Sequence, residues 1–404
     1  MKTIRPKKNL VKTDMTKNKT IYLWCLLGLL SALAPVINNM ISPALPAIAS
    51  AINAGDGLVQ LGLTASLVGF AVGQIVVGPM SDRLGRRVPL LTSMTVLVLV
   101  SGALAFVTSL PAFVALRLLQ GVAAGGGIVI ARSVATDLSS GNELMKMLAA
   151  INVINGLAPI VTPIAGGFIT SCMGWPSIFW AMLAVSAVLA VCCVPLRESL
   201  PIERRSAHAL HHTLALFADV MRQRAVVMAM LHQGGALAIL FGNIAATPFL
   251  AAHYGLHPSA TGVALGVVGI FTAIGAGLAP MLGNAARGIR VAAWGILVGV
   301  LIQAVVLWYD YGFVTYQVVQ CFVMTFVGVT LTSSSTHVMD CARKQAGTAS
   351  ALLGAVGFLM GAVAAPLVTA GNIIVGTAMV YLGATVLVML GAAFISVDKP
   401  RLTA

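Results

Sequence analysis

Few residues in this 404-residue chain could do chemistry, because only 9% are charged and 59% are hydrophobic. The densest group of them is Gly78-Pro79-Met80-Ser81-Asp82-Arg83-Leu84-Gly85-Arg86-Arg87. One carboxylate among three guanidinium groups can form ion pairs that hold one conformation and break in another. The same charges can also act as a fixed surface anchor, in which case exposed pairs contribute little. Arg132 and Asp137 lie further along and extend this group. Arg117 stands inside the apolar run 111–135, one to two turns from its start, while Arg132 lies near the other end. A guanidinium at that depth is costly unless it meets a cavity or a partner, so it reads either as a functional group or as an arginine reaching for the interface. His232 is a second isolated polar group, with a proton-carrying reading and a hydrogen-bonded structural one. Asn38, Asn39, Asn152, Asn155, Gln233 and Asn243 complete the polar candidates within apolar runs.

The elements that must position these groups are long and apolar. A soluble domain carries about 25% charged residues, so this composition excludes one. Runs near 20 residues, the length that crosses a bilayer, lie at roughly 20–43, 57–80, 88–108, 111–135, 146–170, 174–195, 225–250, 260–284, 290–309, 312–336, 346–370 and 374–396. The spacing predicts an all-α polytopic membrane protein of twelve transmembrane helices, six and six. The expected organisation is a basic tail over 1–19, a six-helix bundle over 20–195, a polar linker over 196–224, a second bundle over 225–396 and a tail over 397–404. Residues 78–87 would be a tight turn, and Pro43 to Pro46 would end the first span.

The net charge of +13 would suit a nucleic-acid binder if its cations were spread. They are not. Apart from Arg117 and Arg132, the lysines and arginines fall in tails and connections that alternate to one face of the membrane. That is the positive-inside pattern, and it places both termini in the cytoplasm. Neither a metal nor a cofactor is expected. The cysteines show no paired spacing, and His208, His211 and His212 read as part of a solvated linker. No nucleophile and base stand at a useful spacing, so an enzyme is not expected.

Several stretches carry a resemblance. The pattern of residues 78–87 resembles the signature loop between helices 2 and 3 of the major facilitator superfamily. Gly283-Asn284-Ala285-Ala286-Arg287-Gly288-Ile289-Arg290 is a faint second copy without the acid. The segment Arg117-Leu118-Leu119-Gln120-Gly121 resembles the helix-4 motif of drug:proton antiporters, whose arginine is tied to proton coupling. In helix 5, Gly156 to Gly167 resembles the antiporter motif, with Pro159, Pro163, Gly166 and Gly167 in place and Thr162 where the motif has its first glycine. Pro43-Ala44-Leu45-Pro46 and Ala346 to Gly354 point to the bicyclomycin- and chloramphenicol-resistance (Bcr/CflA-type) branch.

The resemblance implies two pseudo-symmetric six-helix bundles with a transport cavity between them. It implies multidrug efflux across a bacterial inner membrane, driven by proton antiport, by a monomer whose partners are its small-molecule cargo, protons and the lipid bilayer. The cavity would be lined by helices 1, 4, 5, 7, 8, 10 and 11. Asp82, Arg83, Arg86, Arg87, Arg132 and Asp137 would form a cytoplasmic gate that latches the outward-open state. One departure bears on coupling. Asn39 occupies the place of the branch's helix-1 acid and cannot titrate. Arg117 would then lack a counter-charge: either an anionic or zwitterionic cargo supplies it, or a neutral His232 and the amides of Asn38, Asn39 and Asn155 solvate the guanidinium and cargo charge does not matter. Two alternatives follow: a dedicated exporter or facilitator of one native metabolite, anionic or not (siderophore or nucleoside-like), with weak or absent proton coupling, and a transport-inactive receptor or assembly partner.

Overall fold

The computed structural model describes residues 17–139, 141–205, 219–342 and 346–395. The tails, the linker histidines and the basic residues at 343–344 therefore lie outside the described residues. Every regular element among those described is helical. Ten helices are long and apolar enough to span a bilayer. The bent pair Thr20–Ser31 and Leu33–Ala51 supplies an eleventh, and Ala346–Val368, apolar over Leu352–Val368, stands where the twelfth is expected.

The first span differs most from expectation. It consists of α1 (Lys17–Ser31), α2 (Leu33–Ile41), a 3-10 turn over Ser42–Ala44 and α3 (Leu45–Ala51), with a 47° bend between Thr20–Ser31 and Leu33–Ala51. Pro43 and Pro46 kink the run without ending it. Proline is tolerated at the first turn of a helix, and here each sits at such a turn. After the short α4 (Asp56–Val59) come α5 (Leu61–Leu84), α6 (Arg87–Leu104), α7 (Leu110–Leu138), α8 (Gly141–Met173) and α9 (Pro176–Cys193). The second half holds α10 (Arg224–His253), α11 (Pro258–Leu278), α12 (Ala285–Trp308), α13 (Phe313–Cys341), α14 (Ala346–Val368) and α15 (Ile373–Ala393).

Residues 78–87 are not the tight turn expected. Helix α5 runs through them to Leu84, and the chain breaks only at Gly85, whose φ is +97°. Asp82 thereby lies on the last turn of α5, and Arg86 follows just beyond the break.

Small residues let the helices approach closely, as packing without a hydrophobic force between helices requires. In the first half α5 and α7 interlock through reciprocal glycines. A Cβ at Gly69 would lie 2.4 Å from the Leu118 carbonyl oxygen, and one at Gly121 would lie 2.3 Å from that of Ser66. One turn on, Gly73 meets Val122 and Gly125 meets Phe70 in the same manner. In the second half Gly275 of α11 and Gly328 of α13 form the matching pair against Thr325 and Thr272.

Each half has its own apolar core, around Phe70, Met94 and Leu97 in the first and Ile239, Ile296 and Val327 in the second. A further cluster around Ile41, Ile48 and Phe113 also takes in Ala245, Phe249 and Ala365 from the second half. The halves therefore share a core on the side away from the basic connections.

Candidate functional site

Polar contacts between the halves gather on that same side, and several use prolines. Pro248 in α10 has no N–H for the Ile244 carbonyl, and Pro366 in α14 has none for Ala362. Ser42 Oγ donates to the Ile244 carbonyl at 2.5 Å, and Thr64 Oγ1 donates to that of Ala362 at 2.9 Å. Gln60 Nε2 adds a bond to the Ala245 carbonyl at 2.8 Å.

Helix α8 carries the seam between the halves. Gly166 faces its own half, where a Cβ would lie 1.9 Å from the Met40 carbonyl oxygen. Gly167 faces the other half, 2.4 Å by the same construction from the Pro258 carbonyl oxygen. Gly262 of α11 returns the contact, 2.3 Å from the Pro163 carbonyl oxygen. Thr162 does not spoil the approach of α8 to α2. Its hydroxyl lies 2.8 Å from the Ala158 carbonyl and 3.2 Å from that of Pro35.

Toward the basic face the seam opens into a cavity of about 320 Å³. Its walls come from α2 (Asn38, Asn39), α8 (Asn155, Pro159, Pro163), α10 (Phe241, Asn243), α11 (Gly269, Thr272), α13 (Met324, Leu331) and Phe358 of α14. Phe358 bridges the halves, with ring centroids 5.4 Å from Phe70 and 5.9 Å from Phe241. Among the described residues the lining holds no Asp, Glu, Lys, Arg or His. The fourth span, α7, contributes nothing to it, against expectation.

Arg117 explains that difference. It is fully buried in the wall behind Asn38. Its five N–H groups are all used: Nε on the Gly62 carbonyl (3.4 Å), Nη1 on the Ile37 carbonyl (3.5 Å) and Gln120 Oε1 (2.5 Å), Nη2 on Asn38 Oδ1 (2.9 Å) and Ser66 Oγ (3.0 Å). No donor is left to fork onto an anionic cargo, so the expectation that cargo pairs directly with Arg117 is corrected. Gln120 is in turn held by Ser101, to whose Oγ its Nε2 donates at 3.0 Å. Gln120 and Ser66 were not singled out from the sequence, although Gln120 sits one turn from Arg117, where a side-chain partner is reachable.

The other candidates divide. Asn38, Asn39, Asn155 and Asn243 line the cavity together with Pro159 and Pro163. Asn152 lies in α8, but its side chain is outside the described residues. His232 is buried in the second half, between the Val388 carbonyl (2.9 Å from Nδ1) and Thr330 (3.4 Å from Nε2). It joins helices α10, α13 and α15 and does not reach the cavity. Gln233 accepts from Ser335 at 3.4 Å and is likewise absent from the lining.

The charge cluster at the basic face centres on Arg86, which is 7% exposed. Its Nη1 lies 2.5 Å from Asp82 and donates to Ser81 Oγ, and its Nε lies 2.9 Å from Asp137. Arg87 donates to the Val194 carbonyl. Arg83 and Arg132 are exposed and have no partner among the described residues. Of the expected gate only Asp82, Arg86 and Asp137 pair among the described residues, and they do so with the halves meeting on the side away from the basic face, whereas the latch is expected for the outward-open state.

The segment after α9 supplies a member which the sequence reading left in the solvated linker. Glu198 accepts the backbone N–H groups of Arg86 (2.7 Å) and Arg87 (3.1 Å), capping α6 where a helix N-terminus favours an anion. Burial alone would raise the Glu198 carboxyl. The N–H groups of Leu200, Arg86 and Arg87 together with Arg205 outweigh it and hold the carboxyl below the usual carboxylate range. A depressed folded-state value stabilises above the unfolded value, about 4.3, and that stability is lost as pH falls through the folded one. Glu198→Gln is therefore expected to lower the melting temperature at neutral pH. The gap to the unaltered protein should close on acidification below about pH 4. Thermal unfolding in detergent across that range checks it, and a gap independent of pH would refute it.

The family model described as Major Facilitator Superfamily matches residues 27–365. An uncharacterized MFS-type transporter, YdgK of Bacillus subtilis (strain 168), is 32% identical over 365 residues, covering 87% of this chain and 90% of that one. A bicyclomycin resistance protein homolog of Haemophilus influenzae is 33% identical over 177 residues, 44% of each chain. Among solved structures, a D-xylose-proton symporter shares the fold at a TM-score of 0.73 and 15% identity, over 95% of this chain and 98% of its own. With the cavity between two six-helix halves, the apolar spans and this match, the chain belongs to the Major Facilitator Superfamily of membrane transporters.

Proposed function

We propose that the protein exports small amphipathic compounds by alternating access, with the basic face and both termini in the cytoplasm. One observation carries this reading: an apolar cavity with four asparagines lies where the two halves meet and is closed off by tight glycine contacts on the opposite side. A site of about 300 to 1,000 Å³ with a few placed polar groups suits a small organic ligand. Similarity to a relative named for bicyclomycin resistance and to a chloramphenicol resistance protein of Pseudomonas aeruginosa, 33% identical over 166 residues (41% of this chain and 39% of that one), supports drugs as cargo. Counterflow of labelled chloramphenicol into proteoliposomes is expected to exceed that of protein-free vesicles. A flat trace across a panel of neutral, anionic and cationic compounds would favour the transport-inactive reading.

Proton antiport is the coupling implied by the resemblance. A second reading, transport with weak or absent proton coupling, is favoured by the uncharged lining. Asn39 is buried in that lining and has no side-chain partner among the described residues. Asn39→Asp would place one titratable carboxyl there. Its transport is expected to become pH-dependent where that of the unaltered protein is flat. Equal pH profiles for the two proteins would refute the second reading.

A further inference from the structure

Two asparagines of the cavity, one from each half, bond to groups in the wall, and for one of them the partner fixes the orientation. Arginine can only donate hydrogen bonds. Arg117 Nη2 therefore requires the carboxamide oxygen of Asn38, which takes it at 2.9 Å and a bond from Ser66 Oγ at 2.7 Å. The Asn38 amide nitrogen must then point away from Arg117. In the second half, Asn243 Oδ1 accepts from Thr247 Oγ1 at 2.9 Å and from the Tyr316 hydroxyl at 3.2 Å. As placed, its amide nitrogen is left over, although both partners are hydroxyls that can donate or accept. Both residues are nearly fully buried, 2% and 1% exposed, and both line the cavity. Neither amide nitrogen has an acceptor among the described residues, and neither is among the fully enclosed polar atoms left unpaired.

The two half-bundles thus turn the same group, an NH₂ donor, into one chamber that holds no acid. Behind one of these donors sits a guanidinium whose five N–H groups are already bonded within the protein. Its charge can act on cargo only through the Asn38 dipole, which it polarises so that the NH₂ end is more positive. A cation placed there would meet positive dipole ends, with no carboxylate to balance it in a low-dielectric site.

We infer that the cavity recognises cargo by an electron-rich oxygen acceptor, a carbonyl, nitro or carboxylate group, held between the amide nitrogens of Asn38 and Asn243, with Arg117 as a positioning residue. The inference rests on the cavity being the transport site. The donors come from opposite halves, so an acceptor that bridges them also ties cargo binding to the closing of the halves.

The test uses the full chain in detergent and three probes: chloramphenicol (uncharged, with nitro and amide oxygens), 1-naphthoate (a carboxylate) and tetraphenylphosphonium (a cation without an acceptor). Binding is read by equilibrium dialysis, and folding by melting temperature. Asn38→Asp keeps an oxygen for Arg117, replaces the NH₂ facing the cavity by a second oxygen and adds a negative charge that pairs with Arg117, so the uncharged chloramphenicol is the deciding probe. Asn243→Asp makes the same replacement beside Thr247 and Tyr316. The unaltered protein is expected to bind at least one oxygen-bearing probe, and more tightly than tetraphenylphosphonium. The contrast between chloramphenicol and 1-naphthoate tells a neutral acceptor from an anionic one. Asn38→Asp should remain folded and lose about tenfold or more in affinity for that probe, the size expected for one well-made hydrogen bond. Preference for the cation in the unaltered protein, or undiminished affinity in folded Asn38→Asp, overturns the inference while leaving the transport reading standing. Failure of all three probes to bind the unaltered protein would overturn both.

Discussion

Gly262→Ala is expected to abolish the closure on the face opposite the basic connections while leaving each half folded. The added methyl would sit 2.3 Å from the Pro163 carbonyl oxygen and 3.2 Å from Gly167 Cα, both backbone atoms of the other half. Backbone cannot swing aside as a flexible side chain can, so the halves must part by about an ångström to restore ordinary contact. Overpacking of this kind costs about 1–3 kcal/mol. Within one half it would lower stability. Across the seam it penalises only the state in which the halves touch here, and each 1.4 kcal/mol shifts the population about tenfold. Gly166→Ala is the control. Its methyl would meet Met40 of the same half at 1.9 Å, so it should lower the melting temperature. Cysteines introduced at Ser171 and Ser259, which are hydrogen-bonded across the seam at 3.0 Å, report the difference. Their labelling should rise strongly in Gly262→Ala. Unchanged labelling there would show that the seam does not move as a rigid contact.

Arg117→Met is expected to cost transport far more than folding. Two effects on stability oppose each other. Removing a guanidinium from the bilayer interior relieves about 2.5–3.5 kcal/mol on insertion scales. It also strips a donor from Gln120, Asn38 and Ser66, at about 1–3 kcal/mol for each buried group left unpaired. The sum is a modest net destabilisation, within reach of rescue by lipid. Function has no such compensation. Without Arg117 nothing fixes the carboxamide of Asn38, which can flip its oxygen into the cavity. Transport of an oxygen-bearing probe should fall by about tenfold or more, one hydrogen bond's worth, and selectivity against tetraphenylphosphonium should weaken. Arg117→Lys retains the charge but not the planar fork, so it should recover folding fully and selectivity in part. If Arg117→Met melted normally and kept both rate and selectivity, the arginine would be a structural residue alone.

Much of the fold was legible along the chain, because a bilayer imposes its terms locally. Each span must satisfy its own backbone, and each cation must reach water or a partner. Runs of about 20 apolar residues and one-sided basic connections therefore marked the spans and the split into halves. Gly69 and Gly73 of α5 stand four apart in the sequence, but which glycine of α7 meets which does not follow from that spacing. Their pairing depends on the crossing angle of two helices, which no spacing within one helix encodes.

The site was less legible, for the same physical reason turned around. Asn38, Asn155 and Asn243 were visible as polar residues in apolar runs, and they do line the cavity. His232 looked alike in sequence and proved to be a strut between α10, α13 and α15. Arg117 was expected to face cargo. Sequence alone shows the cost of a buried guanidinium and not who offsets it. The partners Ile37, Asn38, Gly62 and Ser66 come from spans 51 to 80 residues away in the chain. Glu198 read as a linker charge, because its ligands are the backbone N–H groups of a turn 112 residues earlier. By itself, then, the sequence determined that the chain crosses the membrane many times, in two halves, with its cations on one side. Only the tertiary structure decided which polar groups face the cavity and which hold its wall, since hydrogen-bond saturation is settled between helices and not along them.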